Sequence, residues 1–154
     1  MEIEDLITPK GVIPKLRVTG KKHALQELAK RAADVTGLHE RAIFDVLLER
    51  ERLGSTGVGN GIAIPHGKLA DLNKLHGVFA RLDSAIDFDS VDDQPVDLVF
   101  LLLAPEAAGA DHLKALARVS RLLRDRTVCE KLRGANSADA IYALLTEART
   151  SHAA

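Results

Sequence analysis

The chain has 154 residues, a length that fits one domain. Hydrophobic residues make up 46% of it but aromatic residues only 3%, so the predicted core is aliphatic. The 21 basic and 22 acidic residues nearly cancel, which argues against a nucleic-acid-binding protein, because such proteins usually carry a basic excess on one face. The single cysteine excludes an intramolecular disulfide and a cysteine-based zinc site.

The N-terminal residues MEIEDLITPK are acidic and contain no continuous apolar stretch, unlike a signal peptide. The longest uninterrupted apolar run, residues 98–105, is far too short to cross a bilayer. We therefore expect a soluble, cytoplasmic protein that is not inserted in a membrane.

Hydrophobic periodicity and turn residues predict an alternation of strands and helices. In chain order these are a strand at 11–18, helices at 21–36 and 40–53, a glycine-rich loop at 54–68 with a short strand at 62–64, a strand at 74–82, an acidic solvated turn at 85–93, a strand at 96–104, and helices at 112–124, 127–133 and 138–149. This order predicts a single α/β domain, residues 1–154, with a mixed β-sheet flanked by helices and a loose tail at 150–154. The order of the strands does not follow from the pattern.

Individual residues refine these predictions. Pro14 favours a sheet edge for the first strand, and Gly37 should end the first long helix. The almost entirely apolar composition of 96–104 indicates a central strand that is buried on both faces. Asp111 and Ser137 are the predicted N-caps of the helices that follow them.

The segment 54–68, GSTGVGNGIAIPHGK, contains the residue with the clearest chemical potential, His66. Its five glycines predict a tightly turning loop, and Pro65 and Gly67 should hold the histidine at a defined loop position. An imidazole can attack phosphorus when one ring nitrogen is free and the other is held by a hydrogen bond. His66 is therefore a candidate phosphoryl acceptor.

The same segment offers a candidate cradle of donors for an anion, formed by backbone N–H groups and hydroxyls. The residues concerned are Ser55, Thr56, Gly57, Gly59 and Gly61. The alternative is that the Asn-Gly pair at 60–61 is simply a hairpin turn and that the histidine is a surface residue. The spacing of these glycines, G-x-G-x-G, does not match a dinucleotide-binding fingerprint, and the lysine at 68 lacks the following Ser or Thr of a P-loop.

Arg50 and His112 fall on the apolar stripes of two predicted helices, each near a helix end. Arg50 would ordinarily compensate the helix dipole, but its planar guanidinium also suits phosphate oxygens. His112 would ordinarily be a partly buried and satisfied histidine. Its functional interpretation places an imidazole and a helix N-terminus beside an anion. The residues alone leave both alternatives open.

The stretch 51–68, ERLGSTGVGNGIAIPHGK, closely resembles the active-site segment of the fructose/mannitol-type enzyme IIA of the bacterial phosphotransferase system. It looks most like the nitrogen regulatory branch. The segments 92–105, DDQPVDLVFLLLAP, and 111–125, DHLKALARVSRLLRD, resemble later segments of this family in the expected order. The resemblance covers nearly the whole chain and implies the family's type 2 fold, a mixed sheet flanked by helices.

The resemblance also implies roles for particular residues. His66, in the I-P-H-G motif, corresponds to the phosphorylated histidine, His112 to the second active-site histidine, and Arg50 to the active-site arginine. The implied donor is the histidine phosphocarrier protein HPr or its nitrogen-branch relative NPr, and no cofactor is implied. Because no sugar-translocating domain is fused to the chain, we expect a phosphorylation-dependent regulator whose target proteins the sequence does not identify.

Other functions stay open at this stage. The chain could be a sugar-transport enzyme IIA that passes its phosphate to the IIB domain of a fructose/mannitol-type permease. It could also be a binding module with the histidine as a switch, or a metal hydrolase, although a catalytic zinc usually takes three protein ligands and no H-E-x-x-H motif is present. For a carrier, we expect weak donor docking on a mostly apolar surface around the histidine, with candidate contacts Ile62, Ile64 and Leu69.

Overall fold

The computed structural model describes the backbone of residues 1–153 and the side chains of residues 1–147. Two single-turn 3₁₀ helices, Ile3–Asp5 and Pro9–Gly11, come first. The remaining elements are β1 (Val12–Leu16), α1 (Lys21–Thr36), α2 (Glu40–Arg52), β2 (Gly57–Gly59), β3 (Ile62–Ala63), β4 (His66–Leu69), β5 (His76–Ile86), β6 (Val96–Pro105), α3 (Ala110–Arg124), α4 (Arg126–Gly134) and α5 (Ala138–Ala153). No helix in this described part is long and apolar enough to cross a bilayer.

The six strands form one mixed sheet in the order β1-β5-β6-β3-β2, and β4 also pairs with β6. Strands β5 and β6 are antiparallel, whereas β1 runs parallel to β5, and β3 and β4 run parallel to β6. Strands β3 and β4 follow each other along one edge of β6, since Ile62 lies opposite Leu98 and His66 lies opposite Leu102. Between them, the carbonyl of Pro65 accepts the backbone N–H of Leu102 at 2.9 Å.

Side chains of β6 alternate between two apolar cores, as expected for a strand buried on both faces. Val99, Leu101 and Leu103 pack in the core that contains α1 and α2. Leu98, Phe100 and Leu102 pack in the core that contains α3, α4 and α5. The sheet therefore lies between a two-helix layer and a three-helix layer, and β6 holds the two layers together.

Several element predictions are confirmed. Helix α1 spans Lys21–Thr36, and Gly37 ends it in the left-handed conformation with φ 79°. Strand β1 pairs only with β5 and lies at the sheet edge, as Pro14 indicated. The hydroxyl of Ser137 accepts the backbone N–H of Ala140 at 3.1 Å, as an N-cap should.

The predicted N-cap at Asp111 is wrong. Helix α3 begins two residues before its predicted start, at Ala110, and Gly109 occupies the N-cap position with φ 54° and no side-chain cap bond. Asp111 therefore lies in the first helical turn, where its charge still complements the helix dipole. The glycine is used because this φ lies in the region that other residues avoid.

In the segment 54–68, the short strand predicted at 62–64 is confirmed as β3, but the surrounding loop is wrong, because β2 and the start of β4 also lie there. Asn60 and Gly61 form the turn between β2 and β3, with φ of 57° and 80°, so the hairpin interpretation of this pair is confirmed. Pairing with distant strands fixes these short strands, and local sequence does not reveal such partners.

One further segment differs from the predictions. The acidic turn is only partly solvated, since β5 continues to Ile86 and the side chains of Phe88 and Ser90 are buried. The predicted tail at 150–154 falls on the last turn of α5 and on Ala154. Ala154 lies outside the described residues, and so do the side chains from 148 onward.

Candidate functional site

His66 is the first residue of β4 and lies on a strand rather than in a loop. Its Nδ1 lies 2.9 Å from the carbonyl oxygen of Ile64, two residues earlier, and the side chain is half-buried. Because a carbonyl can only accept, this contact places the ring proton on Nδ1 and leaves Nε2 with a free lone pair.

Gly67 follows on the opposite face of β4, where helix α2 packs against the strand. A Cβ at this position would lie 2.3 Å from Cγ1 of Val46, so no side chain fits unless Val46 moves. The φ of this glycine is not positive, and its role is therefore close packing rather than an unusual backbone angle. The alternation of β4 thus directs His66 towards α3 while α2 packs directly behind it.

His112 lies in the first turn of α3 and is 7% exposed. Its ring contacts that of His66 edge to face, with centroids 5.6 Å apart and an interplanar angle of 66°. The Nε2 atom of His112 is buried and has no hydrogen-bond partner among the described residues. An unpaired polar atom in this position is costly, which is typical of a group that receives its partner from a substrate.

Arg50 lies in the last turn of α2 and donates from Nη1 to the carbonyl oxygen of Gly54 at 3.0 Å. This contact matches the ordinary role of a basic residue at a helix C-terminus. The same guanidinium is close enough to His66 to lower the pKa of that imidazole. Arg50 therefore has a contact in the resting structure and an electrostatic effect on the site.

Both imidazoles have a pKa below that of an ordinary histidine. Burial is the main cause for His66, with a further lowering from Arg50, while the Ile64 carbonyl and Glu51 act in the opposite direction. Burial also lowers the pKa of His112, and the charges of His66 and Lys68 add to this effect. At neutral pH both rings are uncharged, the state in which an imidazole is a nucleophile.

The predicted anion cradle is arranged differently from the expectation. Ser55 donates its hydroxyl to the Phe88 carbonyl at 2.7 Å, and Thr56 donates its hydroxyl to Glu51 at 2.5 Å. The backbone N–H of Gly57 is bonded to the Ser55 hydroxyl. These donors satisfy groups within the protein and do not converge on His66.

The other two glycines of that set surround the hairpin turn. A Cβ at Gly59 would meet the carboxylate of Asp92, and a Cβ at Gly61 would meet Arg133 and Asp97. Gly61 directly precedes β3, which begins at Ile62, whereas β4 begins four residues later at His66. Four extended residues span about 13 Å. These glycines shape the hairpin at a distance from the imidazole pair.

The predicted docking residues are core residues in the structure. Ile62 is 2% exposed, Ile64 is 5% exposed and Leu69 is 8% exposed, because their strand positions face the helical layers. Two exposed apolar side chains adjoin site residues along the chain: Leu113 follows His112, and Leu53 is the C-cap of α2, three residues after Arg50. The surface prediction fails although a short strand at 62–64 was expected, because the pairing of that strand with β6 does not follow from the local sequence.

Glu51 was not predicted as part of the site, although its side chain is almost completely buried. It lies four residues after Leu47 and eight after Ile43, which are both buried in α2. A carboxylate at this helical spacing is the signal that could have revealed it. Among the described side chains, no three His, Cys, Asp or Glu residues are grouped so as to hold a metal ion.

Comparison with known proteins agrees with this architecture. Residues 5–148 match the family described as phosphoenolpyruvate-dependent sugar phosphotransferase system, EIIA 2. The chain is 63% identical over 145 residues to a nitrogen regulatory protein of Bradyrhizobium diazoefficiens, covering 94% of this chain and 95% of the relative. It is 40% identical over 151 residues to a fructose-specific EIIA component of Haloferax volcanii, covering 96% and 98%.

A solved structure shares the fold. The nitrogen regulatory protein IIA-Ntr of Neisseria meningitidis superposes with a TM-score of 0.88 and 33% identity, covering 94% of this chain and 99% of the other. Together with the family match over most of the chain, this shows that the protein belongs to the EIIA type 2 family of the phosphoenolpyruvate-dependent phosphotransferase system, whose members carry phosphoryl groups on a histidine.

Proposed function

We propose that this protein is a cytoplasmic phosphohistidine carrier of the nitrogen-related phosphotransferase system, in which His66 accepts a phosphoryl group from HPr or NPr. Phosphorylation of His66 then regulates target proteins. The observation that carries the proposal is the imidazole pair, since the ring of His66, with a free Nε2, contacts the ring of His112, whose own Nε2 has no partner among the described residues. The identity to nitrogen regulatory relatives supports the regulatory branch.

In the proposed reaction, the lone pair of His66 Nε2 attacks the phosphorus of the donor's phosphohistidine in line with the leaving nitrogen. The new N–P bond forms as the donor's N–P bond breaks, and the donor imidazole takes back the electron pair. Such transfers need positioning and charge stabilisation more than covalent help from the protein. The Nδ1 contact with Ile64 supplies the positioning of the ring.

His112 and Arg50 stabilise the transferred group in this proposal. His112 donates from Nε2 to a phosphoryl oxygen, which gives that buried atom the partner it lacks in the resting structure. Arg50 exchanges its bond to the Gly54 carbonyl for a phosphoryl oxygen, where its planar fork suits the geometry. Both side chains reach the site from the ends of helices that pack on β4 and β6.

The donor docks, in this proposal, on the surface around His66 that includes Leu113 and Leu53. The contact should be small, near about 1,200 Å² in total, because a carrier must release its partner after each transfer. Phosphorylation adds up to about two negative charges to the same surface, which is sufficient to switch the binding of a target.

The 40% identity to a fructose-specific EIIA component favours one second candidate, transfer from His66 to a IIB domain of a fructose/mannitol-type permease. Phosphorylated protein incubated with a purified IIB domain of this type separates the two. Rapid loss of the label from His66 to the IIB domain would replace the regulatory proposal by the transport one.

The direct test is phosphoryl transfer from phosphoenolpyruvate through purified enzyme I and either HPr or NPr. We expect an acid-labile, alkali-stable label on the wild-type protein, none on a His66→Ala variant, and an undiminished label on His76→Ala, a matched change at another half-buried strand histidine. ATP alone should not label the protein. Label that persists in the His66→Ala variant, or labelling by ATP without other proteins, would overturn the proposal.

A further inference from the structure

Glu51 ends the buried stripe of α2, and its side chain is only 3% exposed. A buried carboxylate is costly unless its charge is paired and its oxygens are hydrogen-bonded. Both conditions hold here. The carboxylate accepts the backbone N–H of Thr56 at 3.1 and 3.2 Å and its hydroxyl at 2.5 Å, and Lys21 Nζ lies at 3.1 Å.

Thr56 connects this carboxylate to the imidazole pair through the backbone. Its carbonyl oxygen accepts the N–H of Ile64 at 3.0 Å, and the carbonyl oxygen of Ile64 accepts Nδ1 of His66 at 2.9 Å. Three hydrogen bonds in series, from His66 through Ile64 and Thr56 to Glu51, therefore all donate in the direction of the carboxylate. At Thr56 and at Ile64 the donating N–H and the accepting carbonyl belong to different peptide groups joined by Cα, so the series holds the Ile64 carbonyl in position and does not pass polarisation from bond to bond.

We propose that Glu51 is a positioning residue for phosphoryl acceptance, acting on His66 through Thr56 and Ile64. Its bonds to Thr56 hold the backbone that presents the Ile64 carbonyl to the Nδ1 proton, and its negative charge acts on the imidazole through space. Both effects keep the proton on Nδ1 and fix Nε2 as the nucleophile. In catalytic triads a buried carboxylate does this by touching the imidazole directly. Here two residues, Thr56 and Ile64, lie between the charge and the ring, and the kinetic part of the inference rests on the proposed phosphorylation of His66.

The charges around the site are consistent with this role. Glu51 raises the pKa of His66, whereas Arg50, its neighbour in α2, lowers it. The neutral ring of His112 faces His66 from α3, and Lys68 of β4 acts on His112.

The hydrogen-bonded series from His66 through Ile64 and Thr56 to Glu51 is called the relay below. At its Glu51 end, Lys21 of α1 partly neutralises the carboxylate. The same ammonium also pairs with Asp89 at 2.9 Å and lies 5.5 Å from the centre of the Phe88 ring. The influence of Glu51 on the imidazole is therefore set by the balance between one buried carboxylate and one partly buried lysine.

Three variants test the relay. Glu51→Gln keeps the size of the side chain and an acceptor for Thr56 but removes the charge. Lys21→Met leaves the charge of Glu51 without its neutralising partner. Thr56→Val is the matched control, because it removes the hydroxyl bond to Glu51 but keeps the backbone N–H and carbonyl that form the relay.

The first measurement is made on the unphosphorylated protein, by ¹⁵N and ¹H NMR of the His66 ring across a pH titration. Glu51→Gln should lower the pKa of His66 and raise the share of the Nε2–H tautomer. Lys21→Met should raise that pKa, and Thr56→Val should leave it near the wild-type value while lowering stability. These expectations hold whether or not the protein is ever phosphorylated.

The second measurement is the rate of transfer from saturating phosphorylated donor. Glu51→Gln should slow it roughly three- to tenfold, the size expected from weakening one hydrogen-bonded contact to the nucleophile. Equal pKa and tautomer values in wild type and Glu51→Gln would overturn the inference. If Glu51→Gln does not fold, an unchanged His66 pKa in Lys21→Met would do so. A wild-type protein that takes no phosphoryl group would instead refute the proposed function, and the NMR result would still decide the relay.

Discussion

The imidazole of His112 meets that of His66 edge to face at 5.6 Å, and its Nε2 is one of the two buried side-chain nitrogen or oxygen atoms without a partner in the described part of the chain. If this atom binds a phosphoryl oxygen, its substitution should affect transfer more than folding. We expect His112→Ala to slow transfer roughly ten- to a hundredfold, as for a lost charge-assisted contact of about 1.5–3 kcal/mol. Stopped reactions with labelled donor give the rate, and binding of unphosphorylated donor should hardly change.

A purely structural role of His112 makes the opposite prediction. The variant would then show a lower melting temperature but a normal transfer rate in the folded fraction. Rate and melting temperature measured on the same sample distinguish the two, and a normal rate would remove His112 from the proposed site.

Arg50 is expected to act on the rate and on the pKa of His66 together. Its charge lowers that pKa, so Arg50→Ala should raise the pKa while reducing the transfer rate. Arg50→Lys should restore the charge effect but only part of the rate, because an ammonium lacks the planar fork. Arg52→Ala, an exposed change two residues later in the same helix, is the control and should leave both quantities unchanged. A wild-type transfer rate in the Arg50→Ala variant would show that Arg50 has no role in transfer and only bonds to the Gly54 carbonyl.

The lowered pKa values predict a particular pH dependence of stability. His66, His76 and His112 all have a pKa below the ordinary value, with burial as the main cause in each. Below about pH 6.5 the unfolded chain binds more protons at these sites than the folded protein does. The free energy of unfolding should therefore fall as the pH drops through about 6.5 towards the lowered pKa values. Urea unfolding at several pH values measures this slope, and His112→Gln should make it shallower. A slope in the variant equal to that of the wild type would contradict the assignment.

Leu113 should contribute to donor docking, because it is 69% exposed and follows His112 on α3. We expect Leu113→Ala to raise the donor concentration needed for half-maximal transfer roughly three- to tenfold, with little change in the rate at saturation. Val91→Ala removes another strongly exposed apolar side chain, in the acidic turn, and serves as the control. Equal effects of the two changes would exclude a specific contact at Leu113.

Gly67 should tolerate no side chain while Val46 faces it at the present distance. A Cβ at Gly67 would meet Val46 Cγ1 at 2.3 Å, so Gly67→Ala should destabilise the fold by about 1–3 kcal/mol. The double change Gly67→Ala with Val46→Ala removes the clash and should recover part of this loss. Denaturant unfolding of the single and double variants checks the coupling, and strictly additive losses would show that the clash is not its cause.

Features that depend on local chemistry were predictable from the sequence. Gly37 ends α1 as its backbone freedom requires, and the apolar composition of 96–104 identified the central strand. His66 and His112 were identified separately, and the structure brings them into contact. The positions of Ile62 and Ile64 were mispredicted because pairing with β6, more than thirty residues later in the chain, buries them.

Glu51 shows why part of the site could not be predicted. The predicted stripe of this helix is Ile43, Val46, Leu47 and Arg50, of which Ile43 and Leu47 are buried, but the other two buried positions are Phe44 and Glu51. A shift of one residue along a helix rotates the buried face by about 100°, and at the last turn the packing partner decides which side chain turns inward. That partner is Thr56, which lies beyond the end of the helix.

The attachment of His66 to the sheet has a consequence for encounters with other proteins. Residue 66 is held in register with Leu102 of the most buried strand, and the preceding Pro65 carbonyl is bonded to the same residue. A reactive group on a mobile loop would lose conformational entropy each time a partner arrived, at about 1–2 kcal/mol for every backbone residue immobilised. A histidine fixed in a strand has already lost that freedom when the chain folds. Successive partners of different shape can thus meet the same nucleophile in the same orientation, and only the partner has to adapt.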